Sequence, residues 1–390
     1  MSVGQSTELV RAAGGPAPAG RSRPAGTGRD RGIDGLRAYA IGGVVLGHWL
    51  VTALVLTPDG VLTSASPLTA MTGLAPATWL LQTLGLFFFV SGYAAARSRS
   101  SRAARDSGTP DWLRRRLGRL ARPVATFLGV WAVVLVGAAL AGVPGATLRT
   151  LGTLAISPLW FLLPLVALNA LTGPLLRALD RYGPLPLAGA AVLLVALSDL
   201  AGAGLDTAVR RPVAVLAAWL VPYLLGLATA TGRFGRRRRH GWLLLAGGGG
   251  ALAALVLLAG YPASAVGVPG AGRSNLDPPS VFAVALALAQ VGAALLVRPA
   301  LARWLTNRPG WWRPVHRLNA AALPVYLCHQ SVLIGLTVLA AGGAWLAGTG
   351  PLPGLHTAPS GPGWIVARLA WLPLLGLGLA PLLSARRQGR

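Results

Sequence analysis

The chain has 390 residues, 54% of them hydrophobic, and a formal net charge of +25. All 35 basic residues are Arg, and they fall mostly in short clusters between apolar runs long enough to cross a bilayer, which is the pattern of a polytopic membrane protein. The clusters form no continuous basic face, so no nucleic-acid partner is expected, and the single Cys328 excludes an internal disulfide framework and a CxxC site.

Residues 1–31 are rich in Gly, Pro, Ala and Arg and lack the apolar core of a cleaved signal peptide. They read as a disordered, basic cytoplasmic tail. Hydropathy then gives ten spans: Leu36–Leu56, Ala77–Ala96, Pro123–Ala141, Pro158–Leu176, Leu185–Ala201, Val213–Thr231, Trp242–Tyr261, Ser280–Val297, Leu318–Ala341 and Trp364–Leu383. The expected fold class is all-α, a polytopic transmembrane helical bundle of about ten helices. The Arg97–Arg122 segment is expected to be a loop. Placing the N-terminus inside puts most Arg clusters on the cytoplasmic side, leaving Arg149, Arg210, Arg211 and Arg273 opposite and Arg368 in the last span. The expected organisation is therefore a domain over 32–384 and a short tail at 385–390, with both ends cytoplasmic and the plasma membrane as the site.

Ionisable groups inside a span are functional hypotheses, because hydrocarbon makes them costly. The spans hold no Glu and only Asp199, near a span end; the carboxylate relay of a cation-coupled transporter is missing. The imidazoles of His48 and His329 remain. On an ideal helix Arg37 and His48 lie within roughly 20° of one another and about 16 Å apart along the axis, with Asp34 on the same stripe. Two readings stand: an interfacial Asp34–Arg37 pair with a structural His48 hydrogen bond, or a neutral His48 acting as general base toward a hydroxyl. The chain has no GxSxG elbow, HExxH pair or Gly-rich phosphate loop, so neither a covalent serine route nor a metal site is expected.

Five stretches, in order, carry a resemblance. "IDGLRAYAIGGVVLGHWL" places ten residues between Arg37 and His48; "LFFFVSGY" holds Ser91 and Gly92; "WLRRRLGRLARP" contains Arg-x-x-Arg as Arg116 with Arg119 and as Arg119 with Arg122; "SPLWFLLPL" contains Trp160; "LPVYLCHQSVL" contains Tyr326 and His329. Together they resemble the acyltransferase-3 family of integral membrane acyltransferases. The resemblance implies transfer of an acyl group, commonly acetyl, from acyl-CoA to a hydroxylated acceptor: a sugar, glycan, lipid or secondary metabolite. Some family members carry a fused SGNH domain, and none is expected here.

On that resemblance His48 is the base, while Arg37, Arg116, Arg119 and Arg122 bind the donor's phosphates. Plain positive-inside topology accounts for Arg114 and Arg115. Ser91, Trp160, Asn275, Tyr326 and His329 are expected in the substrate cavity, with packing the alternative for Ser91 and a structural hydrogen bond the alternative for His329. The Gly247–Gly250 run is expected to permit close helix contact, and His240 and His316 to be interfacial. No cofactor is expected beyond acyl-CoA as donor substrate. The expected partners are acyl-CoA, the acceptor and the lipid bilayer. The competing function is a transporter or flippase of a lipid-linked or sugar substrate, and a non-catalytic scaffold stands behind it.

Overall fold

The computed structural model describes residues 29–100, 108–202 and 206–384; most of the expected N-terminal tail and all of the C-terminal one lie outside these. The helices are α1 (Arg31–Val51), α2 (Pro67–Ala70), α3 (Thr78–Leu81), α4 (Leu84–Arg99), α5 (Gly108–Leu140), α6 (Gly145–Ile156), α7 (Leu162–Ala170) and α8 (Thr172–Tyr182). They continue as α9 (Pro184–Ala201), α10 (Thr207–Ala230), α11 (Arg238–Leu257), α12 (Val281–Asn307), α13 (Pro309–Ala320), α14 (Ala322–Leu346) and α15 (Pro362–Ser384).

Among the described residues nine stretches are long and apolar enough to cross a membrane. The 21-residue α1 stands outside that set, because Asp34, Arg37 and His48 lower its hydropathy, yet it packs between α4, α12, α14 and α15. The protein is thus an all-α, multi-pass bundle with α1 packed inside it.

Several spans depart from their expected limits, the first four among them. The first ends at Val51, and Ala53–Leu56 instead pairs antiparallel with Leu62–Ala65, Ala53 opposite Ala65 and Leu56 opposite Leu62. Pro58 and Gly60 explain it: Gly60 takes φ 78° and donates to Thr57 O at 2.9 Å, so the chain turns. An apolar strand and an apolar helix look alike to a hydropathy sum.

The second span is broken between α3 and α4. Its freed carbonyls are satisfied inside the protein: Gln290 Nε2 donates to Trp79 O and Gln82 O, each at 2.8 Å, and the Tyr39 hydroxyl to Leu80 O at 2.6 Å. Irregular backbone at this depth survives only with such partners. The third helix begins at Gly108, so Arg114–Arg122 is helical rather than loop. The fourth starts upstream at Gly145, passes through a 3₁₀ turn at Ser157–Phe161 and ends at Ala170.

Two crossings fix the frame. Gly92 of α4 lies against the Tyr223 carbonyl and Gly226 of α10 against that of Phe89, positions where a Cβ has no room. Phe88 stacks on Trp219 beside them, centroids 5.3 Å apart. Within the Gly247–Gly250 run only Gly248 makes the expected close approach, meeting α12 at Ala285 and Ala289.

Candidate active site

His48 sits in the last turn of α1, and Tyr326 and His329 lie one turn apart on α14. The structure joins them across the bundle: His48 Nδ1 is 2.7 Å from His329 Nε2, with ring centroids 4.9 Å apart. His329 Nδ1 is 2.6 Å from the Tyr326 carbonyl oxygen. A carbonyl only accepts, so His329 Nδ1 carries the hydrogen. With both rings uncharged, His329 Nε2 must then accept and His48 Nδ1 must donate. The consequence is a bare lone pair on His48 Nε2. His48 is therefore one of a hydrogen-bonded pair with His329. Trp49 Nε1 donates to the His329 carbonyl at 2.9 Å, and the Tyr326 hydroxyl donates to Pro158 O, locking both elements in register. Arg368 closes the end of α1: it is fully buried, donates to Thr52 O at 3.0 Å and lies 4.7 Å from the centre of the Trp364 ring.

Two cavities meet on this cluster. The first, about 210 Å³, is lined by His48, Gln82, Trp160 and Tyr326 among mostly apolar neighbours. The second, about 380 Å³, is lined by Arg37, Ser91, Arg116, Arg119, Asn169 and Asn319, and again by Tyr326. Tyr326 is a shared wall. In the second cavity Arg116 Nε donates to Asn169 Oδ1, while Asn169 Nδ2 is anchored to Leu165 O at 2.7 Å and Asn319 Nδ2 to Asp34 O at 2.7 Å. Arg116 also lies 5.6 Å from the Trp112 ring. The guanidinium groups are thereby gathered at one end of the bundle, facing a hollow suited to an anion.

The expected residues divide accordingly. Arg37, Arg116, Arg119 and Ser91 share the basic cavity; Trp160 joins His48 in the other. His329 has no exposed surface and stands behind His48 rather than on a cavity wall. Arg122 is exposed and lines neither cavity, so of the two Arg-x-x-Arg registers the first is the one that lines the basic cavity. Asn275 is fully buried and also lines neither cavity; its carboxamide donates to Pro262 O at 2.7 Å and Ser264 O at 2.8 Å and accepts from Ser280. Sequence reasoning missed Asn169, Asn319 and Gln82. Carboxamides inside or beside apolar runs were the available signal, and a search confined to ionisable groups passes over them.

Residues 30–381 match the model of the acyltransferase-3 family, described as an acyltransferase domain. No curated protein and no solved structure matches the chain. The match covers nearly the whole chain and includes both cavities and the histidine pair. The chain belongs to the acyltransferase-3 family of integral membrane acyltransferases.

Proposed function

We propose that the protein is an O-acyltransferase that uses acyl-CoA, acetyl-CoA in the first instance, with His48 as general base. The observation that carries this reading is the hydrogen-bond chain from the Tyr326 carbonyl through His329 to His48, which leaves His48 Nε2 bare beside a cavity. In the step envisaged, Nε2 takes the acceptor's hydroxyl proton as that oxygen attacks the thioester carbonyl. The new C–O bond forms, the C–S bond breaks, and the proton passes on to the departing thiolate sulfur. The charge held meanwhile on His48 is shared with His329 through Nδ1–H.

Arg37, Arg116 and Arg119 would hold the CoA phosphates by charge-assisted hydrogen bonds. The acceptor would occupy the His48 cavity, and the acyl group would pass Tyr326 to reach it. The excess of Arg at the basic end supports a cytoplasmic donor side, with the termini on that side.

The test is mass spectrometry of glycans, glycolipids and secreted metabolites from three strains: wild type, one lacking the gene, and one carrying His48→Ala. An acyl increment present only in the wild type is the expected result. An increment retained with His48→Ala at normal abundance rules out the assigned base.

A further inference from the structure

We propose that the acceptor is an alcohol with a large apolar body rather than a polyol, an inference that rests on the acyl-transfer reading and narrows its substrate. The His48 cavity is walled chiefly by side chains such as Val44, Val51, Leu68, Leu81, Val266 and Ile365, and no Asp, Glu, Lys or Arg lines it.

Most polar groups on the wall are already committed to the protein. Thr78 Oγ1 donates to Ala75 O and accepts from Ala265 N at 2.9 Å. Thr83 Oγ1 donates to Ala40 O at 2.7 Å, and Gln82 Oε1 accepts from Leu84 N at 3.0 Å. The Tyr326 hydroxyl donates to Pro158 O. A sugar brings several hydroxyls, and each one buried here without a partner weakens binding. An aliphatic body needs only one polar meeting point, at His48.

The route in fits the same ligand. Leu74 and Leu369 line the cavity and are also exposed on the bundle surface, at 39% and 48% of their areas, so an alcohol dissolved in the bilayer meets the opening directly. The acceptor is assigned to this cavity because the basic cavity, on the far side of Tyr326, offers the guanidinium groups that a CoA donor requires.

The full-length protein in lipid nanodiscs would be given acetyl-CoA with ethanol, butanol, hexanol, octanol, decanol or methyl glucoside. A rise in kcat/KM of about threefold to fourfold per methylene is expected, with methyl glucoside a poor substrate. Ala77→Trp, which places an indole at an exposed wall position, should flatten the series. A flat wild-type series or a preference for methyl glucoside would overturn the assignment.

A binding arm separates this inference from the chemistry. A diazirine-bearing decanol should label the cavity wall, competed by plain decanol, in both wild type and His48→Ala. Such labelling without turnover of any acceptor sinks the acyl-transfer reading alone. Labelling that decanol does not compete sinks the apolar-acceptor assignment, whatever the turnover.

Discussion

At the residue scale the decisive group is His329, because it decides which nitrogen of His48 is bare. His329→Ala should lower kcat by about 10²-fold or more, as an unsupported imidazole loses both tautomer and orientation. The KM for acyl-CoA should hardly move. His329→Gln, whose carboxamide oxygen can accept from His48 Nδ1, should recover part of the loss, and steady-state kinetics on purified protein distinguishes these outcomes. Arg116 and Arg119 give the complementary prediction. Replacing either by Ala should raise the KM for acyl-CoA about 10-fold, the scale of one charge-assisted hydrogen bond, whereas Arg122→Ala, outside both cavities, should change it less than about twofold. His48 and Arg37 were legible in the sequence because charge stands out against hydrocarbon, whereas the Arg-x-x-Arg was singled out only by the family resemblance. The bond between His48 and His329 was not legible, since it spans 281 positions and helical periodicity speaks only within one helix.

At the scale of elements, the α4–α10 crossing holds Ser91 and the Phe88–Trp219 stack in place. Gly92→Leu would drive a side chain into the Tyr223 carbonyl. A loss of at least about 1–3 kcal/mol is expected, read as a lower midpoint in thermal unfolding of the detergent-solubilised protein, with activity falling in step. Hydropathy located nearly every span, because length and apolarity are what a bilayer demands. It misplaced the end of α1 and the break after α3, where local turn chemistry at Pro58 and Gly60 and distant partners such as Gln290 prevail. The start of the fourth span was displaced for a related reason: Pro158 looked like a beginning, but it lies within a 3₁₀ turn midway along the crossing.

At the scale of the whole molecule, the account requires the basic cavity and the hairpin turn to face opposite compartments. In a Cys328→Ser background, Asp59→Cys should react with a membrane-impermeant maleimide in intact cells, and Arg115→Cys only after permeabilisation. Equal labelling of both would refute this topology. On the proposed reading the donor lies beside Arg37, Arg116 and Arg119 and the acceptor beside His48, with Tyr326, which lines both cavities, between them. That arrangement turns the question of catalysis into one of proton removal at a single nitrogen. The most direct measurement is release of CoA from acetyl-CoA by purified protein in nanodiscs, with an alcohol acceptor present, for wild type and His48→Ala at equal folded amounts. Acceptor-dependent release by the wild type and a fall of about 10²- to 10⁴-fold in the variant is the predicted result; release by His48→Ala within a few-fold of wild type would contradict it.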